Sequence, residues 1–336
     1  MPATPQRAAF LAAQVEAIHR NLRLLEHTVT GPNGLTTELL SLRQAVPAPA
    51  AAEERDRAAF QDIGGPGRNL RQAGLGAHSL IIQTIDLLGT ISPAGEETLP
   101  EDWRYRANKV LDLIAERLGA DIRRDTAAAV AGVYVIVDPE HTNGRPVTQV
   151  AGAALKGGAS TIQYRDKKSE KGTVLTTSRE IAALCKQAGA VFIVNDHADI
   201  ALLAGADGLH VGQNDIPIRE ARKVVRSHQI IGKSNALVRE ALEAEAEGAD
   251  YIAVGAMFET TTKSNTRPAG IETLRQVKRS TLAPVIAIGG INHSNVAQVA
   301  EAGADAICLA SAVTKADDPE GATRQLARLF NSARKK

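Results

Sequence analysis

VFIVNDHADIALLAGADGLHVGQND, residues 191–215, holds two short apolar runs, VFIVND (191–196) and DGLHVG (207–212). Each ends in polar groups, and only a short helical loop fits between them. Runs this apolar suit strands buried on both faces, as in a parallel sheet covered by helices. Working outward, the same texture recurs in VYVIVD (133–138) and STIQYRD (160–166) upstream, and in QIIGKS (229–234), YIAVGA (251–256), PVIAIGG (284–290) and AICLAS (306–311) downstream. Between most of them lie amphipathic stretches such as TSREIAALCKQAG, IREARKVVRSH, REALEAEAEGA, GIETLRQVKRS and HSNVAQVAEAGA. Eight strands alternating with helices in about 200 residues predict a compact α/β (β/α)8 TIM barrel over 126–336, at the short end of that fold's range. A doubly wound open sheet is the competing architecture, and its phosphate-binding GxGxxG is missing after the first strand.

Residues 1–125 read differently. Phe10, Leu11, Val15, Ile18, Leu22 and Leu25 recur at spacings of three and four, and AHSLIIQTIDLLGTI and WRYRANKVLDLIAERLG repeat the helical period. This predicts an all-α N-terminal domain, interrupted by a Pro/Ala-rich connection near 48–59. The glycines of DIGGPGRNL lack both a preceding strand and a GKS or GKT ending, so they read as a turn. Arg123-Arg124-Asp125 reads as a solvated linker.

Composition narrows the function classes. Across 336 residues, 39 Lys and Arg against 38 Asp and Glu leave a formal charge of +1, which argues against a broad nucleic-acid surface. No apolar run approaches a membrane span. The N-terminus, broken by Gln14, Glu16 and His19, does not read as a signal peptide. Two cysteines make no disulfide framework or metal cluster. The expectation is a cytoplasmic protein, with a homo-oligomer left open.

In a barrel, chemistry belongs to the C-terminal ends of the strands, and polar residues gather there. Strand two ends in Gln163, Arg165, Asp166 and Lys167; strand three in Asn195 and Asp196. Gln213 and Asp215 follow strand four, Ser234 ends strand five, and FETTTKSNTR follows strand six. Gly289-Gly290 and Ala310-Ser311 follow strands seven and eight. Asp196 and Asp215 follow adjacent strands, where two carboxylates suit a hard cation such as Mg2+ better than zinc. Arg165, Lys167 and Lys263 offer charge to a diphosphate. Gly290 allows backbone N–H groups to approach a phosphate, and a side chain there is expected to intrude on that approach. A cation-bound diphosphate beside a separate phosphate pocket implies a transferase with two phosphorylated substrates. His210 and Cys308 read as packed core residues rather than as a base and a nucleophile.

These motifs closely resemble the thiamine-phosphate synthase family. IQYRDK (162–167), VND (194–196), ADGLHVGQND (206–215), GKS (232–234), TTTK (260–263), IGGI (288–291) and AS (310–311) occur in family order and spacing. The resemblance implies coupling of 4-amino-2-methyl-5-hydroxymethylpyrimidine diphosphate to a thiazole phosphate, with Mg2+ as cofactor. It implies that Gln163, Tyr164, Arg165, Asp166, Lys167, Asn195, Ser234 and Lys263 meet the pyrimidine diphosphate, with Arg165, Lys167, Ser234 and Lys263 also catalytic. It assigns Asp196 and Asp215 to the metal. Thr260, Thr261, Thr262, Gly290, Ala310 and Ser311 fall to the thiazole phosphate. Two positions depart from the pattern: Ser234-Asn235-Ala236 lacks the histidine many members carry two residues after the serine, and Glu259 replaces the usual proline. The N-terminal helices resemble the extension on some longer members. The other readings are a thiazole tautomerase-like barrel, against which the paired aspartates and QYRDK argue, and a non-catalytic thiamine-phosphate sensor.

Overall fold

A computed structural model describes residues 5–28, 35–45, 79–88, 102–259 and 267–334. The chain forms two units, Met1–Ile122 and Arg123–Lys336.

The first unit is helical: Pro5–Thr28, Leu35–Gln44, residues 79–88 and most of Trp103–Ala129. The three-and-four spacing puts Ile18, Leu22 and Leu25 on one buried stripe, which joins Leu39, Ile81, Leu111 and Trp103 in a single core. Trp103 is fully buried, and its indole Nε1 donates to the Leu42 carbonyl at 2.9 Å, so the ring's one polar atom is satisfied. The segments read as the Ala-rich connection and as the glycine turn of DIGGPGRNL lie outside the described residues. Among the described residues, no helix is long and apolar enough to cross a membrane.

The second unit is a closed parallel barrel of eight strands in sequence order, with β1 paired to β8. The strands are β1 (Gly132–Val137), β2 (Thr161–Tyr164), β3 (Val191–Asn195), β4 (Gly208–Val211), β5 (Ile230–Asn235), β6 (Tyr251–Val254), β7 (Val285–Ile288) and β8 (Ala306–Leu309). Side chains alternate across each strand. Val133, Val135, Ile162, Val194, Leu209 and Ile252 face the helices. Tyr134, Ile193, Tyr251, Ala253, Ile286 and Cys308 belong to a second, inner cluster, which also takes in Ala127 and Val130 from the segment leading into β1. Arg123 is therefore part of this unit and not a solvated linker residue. Its guanidinium donates to the Ser227 carbonyl and pairs with Asp250 at 3.2 Å.

One local device recurs at the entry to the even-numbered strands. Gly205-Ala206-Asp207, Gly248-Ala249-Asp250 and Gly303-Ala304-Asp305 lead into β4, β6 and β8. Each glycine has positive φ, and each aspartate accepts the backbone N–H at the start of the preceding strand: Phe192, Ile231 and Val285, at 2.7–2.8 Å. At β2 the corresponding residues are Gly158-Ala159-Ser160, where the serine hydroxyl instead donates to the Val133 carbonyl at 3.0 Å.

Candidate active site

The strand C-termini carry the polar groups, as a barrel's working face requires. Alternation then sorts the QYRDK run. Gln163 points inward, where its Nε2 donates to the Tyr134 hydroxyl at 2.6 Å. Tyr164 points outward into the strand–helix core, and its hydroxyl donates to Asp166 at 2.9 Å. Asp166 also accepts the backbone N–H groups of Lys168 and Ser169. Burial pushes the Asp166 carboxyl up, but the N–H donors outweigh it and hold the group below the usual carboxylate range. The side chains of Tyr164 and Asp166 thus hold each other and the turn, apart from the charged cluster that Arg165 and Lys167 enter.

Arg165 is held by Asp138, the residue immediately after β1, through a charge-assisted bond from Nη1. Asp138 is 3% exposed, and its other oxygen accepts the Glu140 N–H at 3.0 Å. The sequence reading missed this carboxylate, although the final D of VYVIVD follows the same strand-end rule as its neighbours. Lys167 pairs with Asp196 at 2.8 Å. Asp196 follows β3 with φ 62, a left-handed conformation that aspartate adopts more readily than most residues. Its backbone N–H donates to the His210 carbonyl on β4 at 2.9 Å.

Asp215 comes to the same place by a turn after β4, in which Gly212 N–H donates to its Oδ2 at 2.7 Å. The two carboxyls share a hydrogen bond. For Asp215, burial and the neighbouring Asp196 raise the pKa against the pull of the Gly212 N–H. For Asp196, burial is outweighed by Lys167 and by the bond from Asp215, and its pKa is lowered. Asp215 is therefore the weaker acid of the two, and the two carboxyls lie beside one ammonium. Among the described residues, no group of three or more His, Cys, Asp or Glu is arranged to hold a metal. A pair of hard oxygen donors without a third fits an ion that completes its shell with water and phosphate oxygens, as Mg2+ does.

Asn195 ends β3 opposite His210. Ser234 sits on β5 with its Oγ 2.9 Å from His210 Nε2. Asn235 and Ala236, the departures from the family pattern, are both buried; Asn235 Nδ2 donates to the Lys233 carbonyl, and Ala236 N–H donates to Glu240. Glu240, another residue the sequence reading missed, also accepts from Gln213 at 3.0 Å and pairs with Arg267 at 2.6 Å. It ties together the loops after β4, β5 and β6.

Thr260, Thr261, Thr262 and Lys263 lie outside the described residues. The segment before them is anchored to β7: Met257 N–H donates to the Ile288 carbonyl and Phe258 N–H to that of Gly289. Gly290, at φ +66, is packed against this segment. A Cβ there would lie 2.4 Å from the Glu259 carbonyl oxygen and 2.8 Å from Phe258 Cβ. The expectation that a side chain at Gly290 would intrude chiefly on a phosphate is corrected, because it would first strike the loop after β6. Ala310 and Ser311, half-buried, follow β8 beside it in the ring of strands.

A closed parallel barrel with a carboxylate pair and cations clustered after β2, β3 and β4 defines an enzyme of the phosphate-handling (β/α)8 class. Comparison with known proteins specifies it further. The family model described as thiamine monophosphate synthase matches residues 133–313. The thiamine-phosphate synthase of Thermosynechococcus vestitus is 36% identical over 299 residues, covering 87% of this chain and 81% of that protein. This match is longer than the barrel unit, so part of the helical unit has a counterpart there. The thiamine-phosphate synthase of Chloroflexus aurantiacus is 42% identical over 205 residues, 61% of this chain and 94% of its own. Among solved structures, a thiamine phosphate pyrophosphorylase from Pyrococcus furiosus superposes with a TM-score of 0.58 at 36% identity, over 62% of this chain and 98% of that one. The chain belongs to the thiamine monophosphate synthase family.

Proposed function

We propose that the barrel joins 4-amino-2-methyl-5-hydroxymethylpyrimidine diphosphate to a thiazole phosphate, forming thiamine phosphate and pyrophosphate in thiamine biosynthesis. The observation that carries the reading is the convergence of Lys167, Asp196 and Asp215 after three neighbouring strands, in a member of this family.

Asp196 and Asp215 would hold Mg2+, which when bound supplies countercharge to the diphosphate oxygens. The protein's own cations act on the same group. Arg165 presents a planar fork already oriented by Asp138, suited to phosphate oxygens. Lys167 brings an ammonium that Asp196 keeps in place. Lys263, with Thr260, Thr261 and Thr262, adds charge and hydroxyls from the loop after β6. Gln163, Asn195 and Ser234 orient the pyrimidine ring. The C–O bond breaks with its electron pair leaving on the diphosphate, and the electron-rich aminopyrimidine bears the resulting cationic carbon. The thiazole nitrogen then gives its lone pair to that carbon, forming the C–N bond with no enzyme nucleophile. Fixed cations aimed at the leaving group stabilise charge where it develops. The thiazole phosphate is held near Gly290, Ala310 and Ser311, which leaves its nitrogen positioned for attack.

The test is the purified full chain with both substrates, with and without Mg2+, reading thiamine phosphate and pyrophosphate together. Equal amounts of the two products, dependent on the metal, are expected. No thiamine phosphate with both substrates and Mg2+ present would overturn the proposal.

A further inference from the structure

Five side chains from five strands make one hydrogen-bonded chain across the barrel interior. Gln163 Nε2 (β2) donates to the Tyr134 hydroxyl (β1) at 2.6 Å, which lies 3.1 Å from the Tyr251 hydroxyl (β6). Tyr251 is 3.0 Å from His210 Nδ1 (β4), and His210 Nε2 is 2.9 Å from Ser234 Oγ (β5). Tyr134 is 1% and Tyr251 0% exposed. The rings pack as well as bond: His210 stacks on Tyr251 with centroids 5.7 Å apart, and Tyr134 tilts against Tyr251 at 6.2 Å. Gly232, the glycine of GKS, makes room for this arrangement, since a Cβ there would fall 1.9 Å from the Tyr251 ring.

A polar run in a barrel interior is costly unless every proton has an acceptor. Tyr134 accepts from Gln163 and has one proton to place, so it donates to Tyr251. Tyr251 then donates to His210 Nδ1, which leaves Nε2 as the protonated nitrogen, donating to Ser234. The Ser234 hydroxyl proton and the Gln163 Oε1 are the groups this chain does not consume. Reversing every bond requires turning the amide, so that Gln163 offers N–H and Ser234 a lone pair. Either way the two ends carry opposite senses.

We propose that Tyr134, Tyr251 and His210 are positioning residues that set the hydrogen-bonding sense of Gln163 and Ser234 jointly, presenting one acceptor and one donor to the edge of the aminopyrimidine. That edge offers the complement, an amino N–H beside a ring nitrogen lone pair. The identity of the ligand rests on the function proposed above; the relay itself does not. In the direction that starts from the Gln163 Nε2 donor, Gln163 Oε1 takes the amino proton and Ser234 O–H meets the ring nitrogen. A ring with an oxo group and a protonated nitrogen in those places presents the wrong sense at both ends.

Two measurements on the full chain decide this. Nitrogen-15 NMR of histidine-labelled protein, with His210 assigned by comparison with His210→Gln, should show the Nε2–H tautomer. Tyr251→Phe and Tyr134→Phe should each shift it towards a tautomer mixture, which loss of packing alone would not do. An Nδ1–H tautomer in the unmodified chain overturns the direction assigned here, and a His210 signal unmoved by both substitutions overturns the relay itself. In kinetics, Tyr251→Phe should raise KM for the pyrimidine diphosphate about tenfold with the thiazole phosphate KM unchanged, the scale of one oriented hydrogen bond. In a Ser234→Ala background the same substitution should cost about threefold, because the part of its effect that passes through Ser234 is already lost and only the part that passes through Gln163 remains. Fully additive losses overturn the proposal. Should the unmodified chain make no thiamine phosphate, the function proposed above fails, and the tautomer measurement still decides the relay.

Discussion

Gly290→Ala tests how the loop after β6 is held against β7. Two costs combine at this position, and the structure allows them to be separated. The first is conformational: φ +66 costs an L-residue about 1–2 kcal/mol, offset by about 0.4–1 kcal/mol from the reduced freedom of the unfolded chain. The second is steric. A Cβ at 2.4 Å from the Glu259 carbonyl oxygen must displace backbone, and that backbone is fixed by the Met257 and Phe258 bonds to β7. Overpacking of this kind costs about 1–3 kcal/mol. Gly205, at φ +64 with nothing within 4 Å of its Cβ position, carries the first cost alone. Gly205→Ala should therefore lose about 0.5–1 kcal/mol, and Gly290→Ala about 2–4 kcal/mol. For a domain of this size the second loss lowers Tm by about 5–12 °C. Thermal unfolding of the full chain, followed by circular dichroism, measures both, and steady-state kinetics should show a raised thiazole phosphate KM for Gly290→Ala. Equal Tm losses for the two variants, or a raised KM at unchanged Tm, would refute the packing argument and return Gly290 to a role in phosphate approach alone.

Asp196→Asn should lower kcat by at least about tenfold and weaken the response to Mg2+, since one formal charge is lost where the diphosphate's countercharge gathers; wild-type turnover at ordinary Mg2+ would refute the ligand assignment. Asp215→Asn should also lose activity while stabilising the metal-free protein, because burial and Asp196 disfavour its charged form. Thermal unfolding in chelator measures the gain, and a lower Tm for the variant would contradict it. Asp138→Asn leaves Arg165 without its counter-charge and should lower kcat/KM about tenfold for the pyrimidine diphosphate, with little change in thiazole phosphate KM. Asp166, whose folded pKa is lowered, contributes stability above its unfolded pKa that is lost as pH falls through the folded value. Asp166→Asn should be less stable at neutral pH and lose less on acidification, as denaturant titrations at several pH values will show.

The barrel was legible because its eight apolar runs have the length and composition of doubly buried strands, and the structure places a strand on each, with β1 and β5 reaching one residue beyond the run. The strand-end rule also located Asp196, Asp215, Lys167 and Ser234, whose chemistry is visible in residue type alone. What it could not separate was the inward from the outward side of QYRDK. Strand alternation assigns Gln163 and Tyr164 to opposite faces, and a list of polar residues ignores that parity. Gly290 was read as a phosphate neighbour, whereas its space is taken by residues 258–259, a contact between positions far apart in sequence. Tyr134, Tyr251 and His210 gave no separate signal, because a polar atom within an apolar run looks like core until its partners on other strands are known.

The glycine–alanine–aspartate entries to β4, β6 and β8 bear on how the protein can be cut and rejoined. Each aspartate clasps its own strand to the one before it, so the barrel is assembled from quarter-turns, three of them latched by a carboxylate and one by a serine. All the latches lie at the end opposite the reactive groups. New chain termini introduced after β4 or β6 leave every latch within a continuous segment, whereas a cut between β3 and β4 separates Asp207 from Phe192. A circular permutant opened between an even-numbered strand and the next one therefore keeps every latch within a continuous segment, and one opened within a latched pair must re-form its latch between two chain ends.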